Sequence, residues 1–310
     1  MENRTWAIHG YYYTFDKMLG SGKFGYVYQA RRYPDNKQFA VKAVPLVAGS
    51  FGDLYQNTMP ILEEFRKIRE LAAISYHIIY VYDFGFDSEK SLAYFVMEQG
   101  QQDLKKYLSY RALLTSADRK SKWRQLTDIA VTLNDYRIVH GDIKPQNLIV
   151  FPGMHIKLCN LGMIKQAFPK NGPSGTPPYS APEVIIPNST TILTTKADVW
   201  SLGAILYLIT YRIAPHFGEP YYRPPSNQYP SRDPDLNDIL QRTLVFNPNK
   251  RPTPSWIAPH FGEPYYRPPT NQYPSRDPDL NDILQRTLVF NPNKRPTPSW
   301  LAKHRYTKTH

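Results

Sequence analysis

The chain has 310 residues, 41% of them apolar, with charges of both signs, which is typical of a folded chain long enough for one large domain or two moderate ones. No run of about 18 apolar residues occurs, so no membrane span is expected, and the first residues lack the apolar segment of a signal peptide. The formal net charge of +12 comes from basic residues spread along the chain, which predicts a solvated basic surface and no nucleic-acid partner. The single cysteine, Cys159, excludes an internal disulfide framework and favours a reducing compartment, cytoplasmic or nuclear.

The first hundred residues alternate short apolar runs with glycine and turn residues, which predicts strands at residues 11–15, 26–30, 39–44 and 93–97. Between these strands, residues 58–74 carry apolar side chains at helical spacing. After Asp103 the pattern becomes mostly helical, with predicted helices at residues 104–114, 122–136, 196–211 and 235–245. The sequence therefore predicts an α+β fold, with a small β-rich lobe followed by a larger helical lobe.

The chain contains an internal repeat. Residues 214–256 recur at 258–300 with an offset of 44 residues, and Ser226 becoming Thr270 is the one difference between the copies. Two nearly identical copies favour a tandem duplication, because a stable solenoid needs about three or more units. Each copy contains one amphipathic helix. Because a core has room for one such helix at a given place, the second copy either packs outside the core, replaces the first copy or stays loose.

A glycine-rich run, G-x-G-x-x-G-x-V, contains Gly20, Gly22, Gly25 and Val27. Glycines let backbone approach phosphate oxygens without a Cβ in the way. The run lies between two predicted strands and not between a strand and a helix, which favours a flap over ATP and argues against a dinucleotide fold. A plain hairpin turn would explain the run alone equally well.

Lys42 lies in the apolar run Phe39-Ala40-Val41-Lys42 of a predicted strand. An ammonium group in such a strand is costly unless it meets an anion. We expect a helical glutamate as its partner and choose Glu64, with its neighbour Glu63 as the alternative. A lysine on the wet face of an edge strand is the structural alternative.

The segment from His140 to Asn147 gives the strongest chemical signal, because it places an acid, a base and an amide within six residues. Asp142 is suited to orient a hydroxyl and take its proton, as phosphoryl transfer requires. Lys144 can neutralise charge on the moving phosphoryl group, and Asn147 can hold a metal ion.

These motifs, followed by Ala181-Pro182-Glu183 and the segment 198–203, come in the order and spacing of protein kinases, which the chain resembles over about residues 11–251. The resemblance implies the bilobal kinase fold, ATP and Mg²⁺ as cofactors with Mn²⁺ as a substitute, and a protein substrate. It also implies the domain limits, which are an N-lobe at 11–100, a C-lobe at 101–256, the duplicate at 258–300 and a basic tail at 301–310.

The resemblance further assigns the nucleotide-binding residues. Met97 would be the gatekeeper, Glu98 to Gly100 the hinge that meets adenine, and Asp103 the ribose contact. With the glycine loop and Lys42, the nucleotide set is Gly20, Gly22, Gly25, Val27, Ala40, Lys42, Met97, Glu98, Gly100 and Asp103. Lys144 and Gly175-Thr176 resemble the Ser/Thr-specific branch, and Glu183 would pair with Arg251 or its duplicate Arg295.

Within the family, several stretches are similar to the monopolar-spindle checkpoint kinases: residues 78–83, 96–100, 138–142 and 198–211. This similarity implies dual-specificity kinase activity and a role in mitotic spindle checkpoint signalling.

One metal ligand departs from the family pattern. Asn160, 18 residues after Asp142, stands where kinases have the aspartate of Asp-Phe-Gly. Replacing a carboxylate by an amide should weaken the Mg²⁺ site that Asn147 and Asn160 would form, since Mg²⁺ favours carboxylate oxygen. The sequence therefore predicts weakened catalysis with ATP binding largely kept. A pseudokinase that binds ATP or a partner protein is the alternative, and a duplicate with a disrupted C-lobe is a third.

Gly141 also departs from the pattern, since many kinases have an arginine there that pairs with a phosphorylated activation loop. Ser174 and Thr176 are candidate phosphorylation sites in that loop, although turn preference explains both. Cys159 is expected to be a small buried filler rather than a reactive thiol.

Overall fold

The computed structural model describes residues 4–22, 25–46, 51–110, 113–161, 165–166, 168–169, 175–187, 191–216 and 223–258. They fall into two compact units, which we call unit 1 (Met1–Tyr110 and Pro145–Gln166) and unit 2 (Arg111–Lys144 and Ala167–His310). The limits of the lobes given above remain a prediction.

The strands in chain order are β1 (Arg4–Ile8), β2 (Tyr11–Gly22), β3 (Gly25–Tyr33), β4 (Lys37–Pro45), β5 (Val81–Asp87), β6 (Leu92–Met97), β7 (Gln102–Asp103), β8 (Ile138–Val139), β9 (Leu148–Phe151), β10 (His155–Leu158), β11 (Lys165–Gln166), β12 (Phe168–Pro169) and β13 (Ile192–Leu193). The α-helices are α1 (Phe51–Ile74), α2 (Leu104–Ser109), α3 (Ser116–Asp135), α4 (Pro182–Ile185), α5 (Thr195–Tyr211), α6 (Pro234–Thr243) and α7 (Pro254–Ile257), and short 3₁₀ turns lie at Pro145–Asn147, Pro152–Met154 and Pro248–Lys250. In the described part of the chain, no helix has the length and apolar character needed to cross a membrane.

Unit 1 is built on a six-stranded antiparallel sheet with the order β1-β2-β3-β4-β6-β5. Alternate side chains of β2 and β3 are buried, as expected when one face of a sheet covers a core. That core is largely aromatic: Trp6, Ile8, Tyr13, Phe15, Tyr28, Ala30, Phe39, Val41, Ala43, Tyr94 and Val96. The four predicted strands are confirmed as parts of β2, β3, β4 and β6.

Strand β1 was not predicted, although its sequence carried a signal. Trp6 and Ile8 alternate with exposed residues, so β1 buries one face. The two-residue turn to β2 consists of His9 and Gly10, which both have positive φ values (46° and 83°). This backbone geometry is the one that closes two-residue hairpins, and glycine supplies it without strain.

The predicted helix at residues 104–114 is wrong in its second half, because α2 ends at Ser109. The next helix, α3, begins at Ser116, six residues before the predicted start. Thr115 forms a capping box there: its hydroxyl accepts the Asp118 N–H at 3.1 Å, and the Asp118 carboxylate accepts the Thr115 N–H at 3.3 Å. This reciprocal cap satisfies two amide groups that would otherwise lack partners, so it fixes the helix start.

Unit 2 has α5 at its centre, buried on nearly all sides, as expected for a helix that is apolar all round. Helix α6 from the first repeat copy packs close to it, since a Cβ at Gly203 would clash with the Thr243 side chain. The end of α7 contacts α3, where the Trp123 indole N–H donates to the carbonyl of Ile257, the last residue of α7, at 3.3 Å. The first copy therefore forms part of this core, and the second copy lies outside the described residues.

Candidate active site

The glycine loop is the β2–β3 hairpin, in which Gly20 pairs with Val27 and Gly22 with Gly25. Gly25 has a φ of 118°, and a Cβ there would clash with the Ala43 carbonyl, so packing alone requires this glycine. Gly20 and Gly22 differ, because a Cβ at either would meet no atom within 4 Å. Among the described residues no close packing requires a glycine at these two positions, whereas a phosphate group approaching the backbone would.

Lys42 lies on β4, opposite Val27 on one side and Phe95 on the other. Its ammonium group donates a hydrogen bond to Oδ1 of Asn160 at 3.1 Å and lies 5.8 Å from the centre of the Phe95 ring. The predicted lysine is therefore half-buried with a polar partner, and that partner is an amide.

Glu64 is half-buried on α1, whereas Glu63 is exposed. Burial raises the pKa of the Glu64 carboxyl, and the positive charge of Lys42 partly offsets this rise. The two side chains are thus near enough to interact, but the ion pairs among the described residues do not include one between them. The expected Lys42–Glu64 pair is replaced here by the hydrogen bond to Asn160.

The predicted hinge runs from the end of β6 to β7. The Glu98 N–H donates to the Tyr80 carbonyl at 3.0 Å, and the Gln101 N–H donates to the Val150 carbonyl at 2.8 Å. Within the same unit Met97 pairs with Ala40 across the strands. A side chain at Gly100 would clash with Ile149, so the chain passes close to β9.

Asp103, the predicted ribose contact, is the N-cap of α2. Its Oδ1 accepts the Lys106 N–H at 2.9 Å. The carboxylate remains half-exposed, and its other oxygen is available for a hydroxyl donor.

In unit 2, Asp142 is held by two neighbours. The Thr176 hydroxyl donates to Oδ1 of Asp142 at 2.8 Å, and the Lys144 ammonium lies 2.8 Å from Oδ2. Lys144 also donates to the Thr176 hydroxyl oxygen at 2.8 Å, which closes a triangle of charge-assisted contacts. The side chain of Asp142 is largely buried, at 9% exposure, so its orientation is fixed before any substrate arrives.

Thr176 was predicted as a candidate phosphorylation site in the activation segment, and its hydrogen bond to Asp142 was not predicted. Its N–H donates to the Ser180 hydroxyl at 2.7 Å, and a Cβ on the preceding Gly175 would clash with the same serine. Gly175 has a φ of 87°, so a glycine is suited to this turn. The Gly-Thr pair was the available signal, but the target of the hydroxyl depends on a contact 34 residues away in sequence.

The backbone before Asp142 is anchored by Asp198 of α5. Its carboxylate accepts the N–H groups of His140 and Gly141 at 2.9 and 2.8 Å. Burial raises the pKa of Asp198 to about 7, although these two hydrogen bonds act in the opposite direction. Gly141 has a φ of 74°, a conformation that a side chain would strain.

The two predicted metal ligands lie on neighbouring backbone segments of unit 1. The Cys159 N–H donates to the Asn147 carbonyl at 2.8 Å, and Asn160 follows directly with a φ of 61°, which asparagine tolerates better than most residues. Within the described ranges, no group of three histidine, cysteine, aspartate or glutamate side chains is arranged to hold a metal. Amide oxygens can coordinate Mg²⁺, but they bring no negative charge.

The surroundings of Cys159 favour the thiol form over the thiolate. Burial raises its pKa to about 12, although part of the side chain is exposed. A thiolate is the reactive form, so this environment favours the filler role expected from the sequence.

Glu183 pairs with Arg251 of the first repeat copy, with distances of 2.6 and 2.9 Å between the carboxylate and the guanidinium. The alternative partner, Arg295, lies outside the described residues.

A glycine hairpin, a strand lysine and a fixed acid–lysine pair on an α+β scaffold define the class of phosphoryl-transfer domains. A family model described as the protein kinase domain matches residues 13–307, and the chain therefore belongs to the protein kinase family. The predicted α+β kinase fold is thereby confirmed.

Among curated proteins, the chain is 32% identical over 276 residues to the dual specificity protein kinase Ttk of Danio rerio, an alignment that covers 80% of this chain and 27% of the relative. It is 29% identical over 273 residues to the dual specificity protein kinase TTK of Mus musculus, covering 80% of this chain and 31% of the relative. The serine/threonine-protein kinase fused of Drosophila melanogaster is 29% identical over 204 residues, or 63% of this chain and 23% of the relative. The chain thus spans less than a third of the length of these relatives.

Proposed function

We propose that this chain transfers the γ-phosphoryl group of ATP to serine and threonine hydroxyls of protein substrates, at a rate limited by its amide metal ligand. The observation that carries the proposal is the triangle of Asp142, Lys144 and Thr176. A carboxylate held in place by a threonine and a lysine is preorganised to take a proton from an incoming hydroxyl.

Each remaining residue has a role that its environment supports. Lys42 would bind ATP phosphates, and the backbone of Gly20 and Gly22 is open to the same group. Lys144 would offset negative charge on the transferring phosphoryl group. Mg²⁺, when bound, supplies further charge neutralisation, and the oxygens of Asn147 and Asn160 are the ligands that this chain offers.

The similarity to two Ttk proteins named as dual specificity kinases supports a finer proposal. The chain would also phosphorylate tyrosine, and it would act in spindle checkpoint signalling. Analysis of the phosphorylated residue type in a mixed protein substrate tests the first part. Phosphate on serine and threonine alone would reject dual specificity and leave the kinase proposal standing.

A second candidate is a pseudokinase that binds ATP without turning it over. The amide at Asn160 favours it, because the oxygen that would ligate the metal carries no negative charge and already accepts a hydrogen bond from Lys42 at 3.1 Å.

Phosphate transfer from labelled ATP to a general protein substrate, in Mg²⁺ and separately in Mn²⁺, distinguishes the candidates. Asp142→Asn serves as the blank and Asn160→Asp as the restored ligand. A signal above the blank from the native chain supports the kinase. A signal that arises only with Asn160→Asp identifies a pseudokinase, and silence from both rejects the proposed activity.

A further inference from the structure

A buried lysine that the catalytic proposal does not use lies behind the predicted hinge. Lys157 is on β10, and its side chain is 5% exposed. Its ammonium group lies 2.7 Å from Oε1 and 2.9 Å from Oε2 of Glu98, the first hinge residue. A buried ammonium group is costly unless it is paired, so this contact constrains both side chains.

Glu98 is also held by Tyr80, which contacts the same carboxylate oxygen as Lys157. The Tyr80 N–H donates to Oε1 of Glu98 at 2.7 Å, while the Glu98 N–H donates to the Tyr80 carbonyl at 3.0 Å. The side chain and the backbone of one hinge residue are therefore fixed by the same neighbour. Lys157 supplies the charge that keeps the carboxylate in this position.

Lys157 is itself confined by aromatic rings. Its ammonium lies 4.0 Å from the centre of the Tyr76 ring and 5.2 Å from the centre of the Phe151 ring. Cation–π attraction at these distances favours one position of the lysine, with its charge directed at the carboxylate. The contact thus joins β10, the segment before β5 and the hinge.

We propose that Lys157 is a positioning residue for the nucleotide: through Glu98 it holds the backbone of residues 98–100 in the conformation that binds adenine. The proposal rests on the proposed function, since it concerns how this chain would bind ATP. Lys157 would act through its contact with Glu98 and the order of the hinge, rather than by touching the nucleotide.

Lys157→Met tests the proposal, because it removes the charge while keeping much of the apolar stem. Lys157→Arg restores a cation that can bind the carboxylate. Lys90→Met is the matched control in the same unit. Lys90 also pairs with a carboxylate, that of Asp87 at 2.6 Å, and lies 4.1 Å from the centre of the Trp6 ring, but its side chain is 42% exposed and it lies on the β5–β6 turn. Each variant is first checked by thermal melting so that only folded protein is compared.

Two measurements are made on the full chain. The first is hydrogen exchange without nucleotide at the backbone amides of Tyr80 and Glu98, which reports hinge order directly. The second is the Kd for a fluorescent ATP analogue. If Lys157→Met lowers the competent hinge population to about a tenth, the apparent Kd rises about tenfold.

We expect faster exchange and an approximately tenfold weaker Kd for Lys157→Met, near-normal values for Lys157→Arg, and no change for Lys90→Met. Folded Lys157→Met with unchanged exchange or unchanged Kd would overturn the proposal. If Lys157→Met does not fold, Glu98→Gln replaces it and the same criteria apply. A native chain that binds no nucleotide would reject the proposed function separately, and the exchange data would then decide whether Lys157 orders the hinge.

Discussion

Replacing Arg251 by methionine should lower the free energy of unfolding of this chain by about 3–5 kcal/mol, the usual effect of removing one partner of a buried ion pair. The Arg251 side chain is 0% exposed, and its partner Glu183 is 13% exposed. Methionine fills part of the same volume but leaves the Glu183 carboxylate without its two hydrogen bonds.

The guanidinium also satisfies three backbone carbonyls. It donates to Val245 at 2.7 Å, to Phe246 at 3.0 Å and to Lys196 at 3.2 Å. These carbonyls lose the guanidinium donor in the variant, which adds to the cost of the unpaired carboxylate and places the effect in the upper part of the range. A decrease in Tm on the order of 10 °C follows for a domain of this size.

Thermal and urea unfolding of the full chain measure this loss. The repeat offers a matched control, since Arg295 occupies the same position in the second copy. Arg295→Met should leave the Tm unchanged, because the first copy forms the core. Equal destabilisation by the two variants, or a loss confined to Arg295→Met, would refute this assignment of the copies.

Three further predictions concern the site. Thr176→Val should reduce kcat by about tenfold, the effect of losing one hydrogen bond to a charged group. Thr176→Ser keeps the hydroxyl and should keep near-native kcat, so equal losses of kcat in the two variants would contradict the contact with Asp142. Asn160→Asp should lower the Mg²⁺ concentration needed for half-maximal phosphate transfer, and an unchanged Mg²⁺ dependence would argue against Asn160 as a ligand. Burial raises the pKa of Asp198 to about 7, above its value of about 4 in the unfolded chain. The folded state therefore binds this proton more tightly than the unfolded state does. As a result, the stability that this group contributes falls as the pH rises from about 4 to 7. The Tm of Asp198→Asn should show a weaker decrease over that range than the native chain, and parallel pH profiles would count against the prediction.

Local patterns of apolar residues in the sequence predicted much of the secondary structure. Strand β4 around Lys42 and the apolar helix α5 were predicted within a few residues, because the run of buried residues in β4 and the burial of nearly all faces of α5 leave clear apolar patterns in the sequence. A break between α2 and α3 was predicted, but its position was wrong, since α2 ends at Ser109 and the capping box at Thr115 starts α3 before the predicted residue.

The site was predicted less completely for a physical reason. Residues within one loop, such as Asp142 and Lys144, can be read together because the chain itself keeps them close. The contact of Lys42 with Asn160 joins residues 118 positions apart, and that of Lys157 with Glu98 spans 59. Such pairs depend on tertiary packing, which the periodic pattern of neighbouring residues in the sequence does not reveal.

The central claim is that Asp142 serves as the base in phosphate transfer to protein hydroxyls. Mass spectrometry of a general protein substrate, incubated with ATP and Mg²⁺ and either the native chain or Asp142→Asn, tests it most directly. We predict new phosphoserine and phosphothreonine with the native chain and none with the variant. No phosphorylation by the native chain, or equal phosphorylation by both proteins, would contradict the claim.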